Sequence, residues 1–204
     1  MRKAFVTALL FVMALAELSH AAAGDEISIT AMDVSRLTPG EFIWKPWLAP
    51  DGAMSITINL RTQRASVYRD GVRIGATTIS AGKRRHRTPT GVFHILQKMR
   101  VHRSKKYDNA PMPFTQQFTR WGVALHGGIV PGYPTSHGCV HLPRTFARLL
   151  YEETSIGTTV VVTNTSPTLS TDHNPPFKIS ATETGADSTR WPVAQMPEEQ
   201  DTAR

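Results

Sequence analysis

The sequence predicts a mostly antiparallel β domain with one or two helices, over about residues 52–165 of a 204-residue chain. Three observations carry that expectation. Residues 54–60 (MSITINL) alternate apolar and polar side chains, which puts Ile56 and Ile58 on one face of a strand. Asp70-Gly71 stands between two short apolar runs, Val67-Tyr68 and residues 72–74, and is a hairpin signal. One segment, 143–153, places Phe146, Leu149 and Leu150 at helical spacing behind an early proline.

Along the chain, residues 65–68 form the second strand after a short turn, and Asp70-Gly71 returns it into residues 72–74. Residues 92–96 (VFHIL) and 121–125 (WGVAL) read as two more strands. The helix follows over 143–153, and residues 158–163 (TTVVVT) close the domain as a strand. The stretch 100–113 (RVHRSKKYDNAPMP) breaks the pattern. It is basic, contains proline and is long for an ordinary connection. It reads either as a solvated surface loop or as a lid over a substrate groove.

Both ends of the chain fall outside this domain. Met1-Arg2-Lys3 is a basic start, residues 4–15 are an apolar run of twelve, and Ala21-Ala22-Ala23 offers a cleavage site. That is the order of a secretory signal peptide over 1–23. The run is short beside the ~20 apolar residues of a membrane span, so no span is expected after signal removal. Residues 24–51 form an N-terminal leader. Residues 166–204, rich in Ser, Thr, Pro and acids without apolar period, read as a disordered polar tail, with docking through Phe177 or Trp191 as the alternative.

The formal net charge is +7, and it is unevenly placed: residues 24–165 carry 18 Lys+Arg against 9 Asp+Glu, the tail 3 against 6. A basic domain suits an anionic partner. Of cell-wall polymer, lipid headgroups and nucleic acid, export makes nucleic acid the poorest match, and an exported, periplasmic location is expected. A single cysteine, Cys139, excludes an internal disulfide framework and a zinc finger of paired cysteines.

Residues 126–143 (HGGIVPGYPTSHGCVHLP) concentrate the chemistry, with three histidines, the only cysteine and four glycines. A thiol attacks carbonyl carbon as its thiolate, and a neighbouring imidazole can take the proton. Glycines let backbone N–H groups approach a developing oxyanion. If residues 136–141 are extended, His137, Cys139 and His141 share one face. His126 ends the preceding strand and returns to the same place through a Gly/Pro turn. An unpaired cysteine in an exported protein points to a working thiol more than to a small buried hydrophobe. The competing chemistry is zinc held by His126, His137, Cys139 and His141. Against it, no Asp or Glu lies between Asp108 and Glu152 to act as a local base.

SHGCVHLP, preceded by ALHGG and by TPTGVF, resembles the YkuD-type L,D-transpeptidases. The similarity extends over about residues 52–163, through INLRTQRASVYRDGVRIGATTISAGK, NAPMPF, WGVALHGG and GTTVVV. LTPGEFIWKPWLAPDG is similar to a leader of some Gram-negative members. The resemblance implies a β-sandwich or barrel-like catalytic domain with the cysteine at the end of a groove. It implies cleavage after the L-centre of the third stem residue of peptidoglycan, and a peptidyl thioester. The acyl group then passes to an amine on another stem, a wall-anchored protein, a D-amino acid or water, without a cofactor, in a protein expected to be a monomer. It makes Cys139 the nucleophile and His126 the proton carrier, with the Gly127 carbonyl orienting its ring and His137 in support. The Gly138 and Cys139 amides become oxyanion donors, and Ser136, Tyr133 and His141 substrate contacts. His141 departs from the pattern, since most members carry Arg there. Arg grips a carboxylate at any pH, whereas His does so only as imidazolium.

Overall fold

The structure, a computed structural model, describes residues 28–165. The expected signal segment and the polar tail lie outside the described residues. The elements run α1 (Ala31–Arg36), β1 (Phe42–Trp44), β2 (Met54–Asn59), β3 (Arg64–Arg69), β4 (Val72–Thr78), β5 (Gly91–His94), β6 (Gln97–Met99), β7 (Thr115–Gln117), β8 (Ala124–Gly127), β9 (Val140–Leu142), α2 (Arg144–Glu153) and β10 (Thr159–Thr163). They form a six-stranded sheet ordered β1-β4-β3-β2-β10-β5 and a four-stranded sheet ordered β6-β7-β8-β9. Most neighbours are antiparallel; β10 on β2 and β8 on β9 are parallel.

The meander β2–β3–β4 follows from local chemistry. Asp70 and Gly71 both have positive φ, 46° and 83°. A two-residue hairpin of this hand needs that conformation, and Asp and Gly tolerate it. The Asp70 carboxylate also accepts from Ala53 N–H at 2.8 Å, tying the turn to the start of β2. The closing strand β10 joins beside β2 in the register Val160–Ile56 and Val162–Ile58, which aligns two buried faces. These side chains meet Leu125, Val140 and Leu142 of the second sheet and Phe146 and Leu150 of α2 in one core. Because the smaller sheet presses its apolar face into this core, the ends of β8 and β9 are held rigidly.

Residues 28–51, expected as a leader preceding the domain, join its sheet: β1 pairs with β4, and Phe42 and Trp44 pack on the Phe146 ring at 5.5 and 5.4 Å. Arginines of the meander secure the rest. Arg64 donates to Val34, Ser35 and Leu37 carbonyls, Arg73 to Ile29, and Arg69 to Ala49 and Pro50. The strand expected over 121–125 begins only at Ala124. Residues 119–122 form a turn, with Gly122 at φ 97° and Trp121 70% exposed. The strand expected over 92–96 ends at His94. Strands β6, β7 and β9 escape sequence reading because three residues are too few for alternation to show.

Candidate active site

The ends of the parallel pair β8 and β9 bring the expected residues together. His126 lies opposite His141, and Cys139 stands immediately before β9. Strands ~4.8 Å apart and a two-residue offset of ~6.6 Å put the His126 and Cys139 backbones about 8 Å from each other, within side-chain reach.

His126 is 6% exposed. Its Nδ1–H donates to the Gly127 carbonyl at 3.1 Å, which leaves the Nε2 lone pair as the free one. Burial, with the nearby His141 adding to it, lowers its pKa to about 4. It is therefore neutral and able to accept a proton over the whole physiological range. Cys139 is half-buried, with Sγ 3.9 Å from the Gly122 carbonyl. Burial raises its pKa, and a hydrogen bond from the Ala124 amide only partly offsets this. Both groups thus rest uncharged, and the thiol needs a base at the moment of attack.

The loop before Cys139 is folded by its own side chains. Ser136 is buried; its Oγ accepts Gly138 N–H at 3.1 Å and donates to the Cys139 carbonyl. Expected as a substrate contact, it is placed where its hydroxyl ties the loop together. The Gly138 N–H, expected as an oxyanion donor, is engaged here by the Ser136 hydroxyl. Cys139 N–H has no protein acceptor among the described residues. Gly138 sits at φ 115°, a conformation that disfavours a side chain and interrupts the extended run assumed over 136–141.

Thr88, from the TPTG segment, was not singled out by sequence reasoning. Its Oγ1 donates to the Gly138 carbonyl at 2.8 Å and accepts Gly82 N–H at 2.9 Å. The turn that delivers it leaves no room at Gly82, where a Cβ would lie 2.0 Å from the His86 carbonyl oxygen. Gly82→Ala should therefore force the backbone apart at a cost of roughly 3 kcal/mol. A thermal melt should show Tm about 10 °C lower, and an unchanged Tm would remove Gly82 from the site's support.

The histidines do not act as one cluster. His137 is exposed and stacks on Tyr107 at 4.5 Å, with His86 at 4.8 Å on the other contact. Tyr107 comes from the tip of the 100–113 stretch, whose arms are joined by Met112 N–H to His102 O and Ser104 N–H to Ala110 O. Tyr107 thus brings that stretch into contact with the loop that carries Cys139. His141 instead meets His126 edge-on at 4.8 Å, donates from Nδ1 to Ile129 O, and covers Gly128. Burial lowers its pKa below the ordinary histidine value, so it is not the imidazolium a carboxylate contact at neutral pH requires. Tyr133 is 62% exposed, and its carbonyl accepts from Ser80 Oγ at 2.7 Å. Among the described residues, no three His, Cys, Asp or Glu side chains gather as metal ligands.

Residues 53–162, more than half of the chain, match the model of the L,D-transpeptidase catalytic domain (YkuD), and the chain belongs to that family. An L,D-transpeptidase from Stackebrandtia nassauensis is similar at TM-score 0.52 and 31% identity, over 57% of this chain and 58% of that one. One from Xylanimonas cellulosilytica DSM 15894 is similar at 0.50 and 27%, over 55% and 61%. The Ldtfm–avibactam carbamoyl enzyme is similar at 0.50 and 25%, over 57% and 51%. The chain thus spans less than two thirds of each of these proteins. No curated protein matches it. The expected family and the mostly β fold with two helices are both borne out.

Proposed function

We propose that this chain is an exported cysteine acyltransferase that remodels peptidoglycan, with Cys139 as nucleophile and His126 as base. One observation carries the reading: a buried imidazole, held by Gly127 O in the tautomer that frees Nε2, on the strand beside the one that Cys139 precedes. Cys139 Sγ attacks the carbonyl carbon after the L-centre of the third stem residue as Nε2 takes its proton. The amide C–N bond then breaks, and the imidazolium returns the proton to the leaving amine. An incoming amine attacks the thioester, gives its proton to Nε2 and releases the thiol. Cys139 N–H is the available backbone donor for the oxyanion. Ser136, Gly138 and Thr88 hold the loop; His141 supports His126; exposed Tyr133 and His137 face incoming peptide. No step calls for a cofactor.

The signal-like start and the basic domain support action on an anionic wall outside the cytoplasm. No helix among the described residues is long and apolar enough to cross a membrane. The test is to incubate purified protein with a disaccharide-tetrapeptide, with and without a second amine, and weigh the products. Both routes release the terminal D-amino acid; transfer also gives the joined product, hydrolysis gives the tripeptide instead, and the absence of both products ends the reading.

A strained acyl donor should report on the thiol directly. A carbapenem should add once per chain by intact mass, at Cys139, and not at all to Cys139→Ala. The carbamoyl enzyme formed by the Ldtfm protein with avibactam is support for this chemistry. Adducts elsewhere would count against an activated Cys139.

A further inference from the structure

A cavity of about 250 Å³ opens between the 100–113 stretch and Arg144 at the start of α2. At ~30 Å³ per water it holds about eight waters, enough for one amino-acid residue ending in a carboxylate. Arg100, Arg103, Arg144 and His102 line it, and no acid does. Arg103 and Arg144 have no carboxylate partner among the described residues. Arg100 has only a 3.9 Å contact with Glu152, which Arg148 engages more closely at 3.1 Å. Arg103 is anchored to its own loop through the Asn109 carbonyl at 3.0 Å, and a lining that is cationic without an acid favours a bound anion. The remaining wall includes Pro113 and Phe114, which suits an aliphatic peptide end better than a hydrated inorganic ion. The cavity is built into the site's frame. Pro113 O accepts from Gly127 N–H at 2.8 Å, and a Cβ on Gly127 would lie 3.2 Å from Pro113 and 3.4 Å from the Arg144 Cα.

We infer that this pocket is a subsite that binds a carboxylate of the peptide substrate through Arg103 and Arg144. The identity of that peptide rests on the acyl-transfer reading. The carboxylate enters one residue from His126, so its grip aligns the peptide with the strand that carries the base.

The test uses the full chain as Cys139→Ala, which binds without turnover. A stem tetrapeptide and its fully amidated form are titrated by calorimetry, with inorganic phosphate as competitor. The free acid should bind about ten- to a hundredfold more tightly than the amide. That preference should shrink in Arg103→Gln and again in Arg144→Gln. Equal binding of acid and amide overturns the subsite without any arginine variant having to fold. A preference unchanged in both variants overturns the assignment to this pocket. Phosphate binding as tightly as the peptide acid marks a free-anion site and overturns the peptide subsite. Failure of the acyl-transfer reading looks different: acid-selective binding persists, while the protein with Cys139 intact makes no product.

Discussion

Cys139→Ala should abolish acyl transfer and leave the fold untouched. The substitution removes one half-buried sulfur, held only by a long contact to Gly122 O and a hydrogen bond from the Ala124 amide. The loop bonds that shape this segment run through Ser136, Gly138, Thr88 and the Cys139 backbone, all of which remain. Stability should move by less than about 1 kcal/mol, while covalent catalysis loses its only nucleophile. Product formation from the disaccharide-tetrapeptide should fall to background, and sacculus binding through the basic surface should persist. Turnover retained in this variant would remove the covalent mechanism, whatever the fold.

His126→Gln should lower kcat/KM by about a hundred- to ten-thousandfold, the usual range for a general base. The pH profile separates this from a mere packing loss. A base neutral above a pKa of about 4 keeps the wild-type acid limb well below the 6.5 of an ordinary histidine. The variant should lose that limb along with most of its rate. Linkage gives a second reading of the same group. His126 is held neutral in the folded state but takes a proton near 6.5 when unfolded. The unfolded state therefore binds more protons between these values, and stability falls as pH drops through 6.5 towards 4. The gap corresponds to roughly 3 kcal/mol at the acid end. Glutamine does not titrate, so urea melts of the variant should show a shallower fall. His141, whose pKa is also lowered, leaves part of the slope in place. A wild-type acid limb near 6.5, or an unchanged stability slope, would show that His126 is not the buried neutral base described here.

The sequence was most legible where one short-range rule acts alone. Strong alternation marked β2, the Asp70-Gly71 turn marked the β3–β4 hairpin, and Phe146 and Leu150 marked the buried side of α2. It was least legible where elements are short or borrowed. β9 is three residues long and exists because Leu125 and Leu142 share a core. The 121–125 reading failed because the Thr119 hydroxyl accepts Val123 N–H and turns the chain before the strand begins. The leader's attachment depends on Gly75, where a Cβ would lie 2.6 Å from the Trp44 ring. That is a contact between residues thirty-one positions apart.

For the site, the sequence by itself determined the chemical vocabulary: a single thiol, imidazoles at fixed distances along the chain, and glycines around them. Tertiary structure decided which imidazole does what. The parallel pairing of β8 and β9 sets His126 against His141, burying the first and partly covering the second, and this desolvation depresses both pKa values. The positive φ of Gly138 breaks the alternation that would have kept His137 with them, and His137 instead meets Tyr107 and His86. Spacing along a chain specifies a face only while the backbone stays regular. One left-handed glycine ends that regularity, and proximity then depends on which strands pack together.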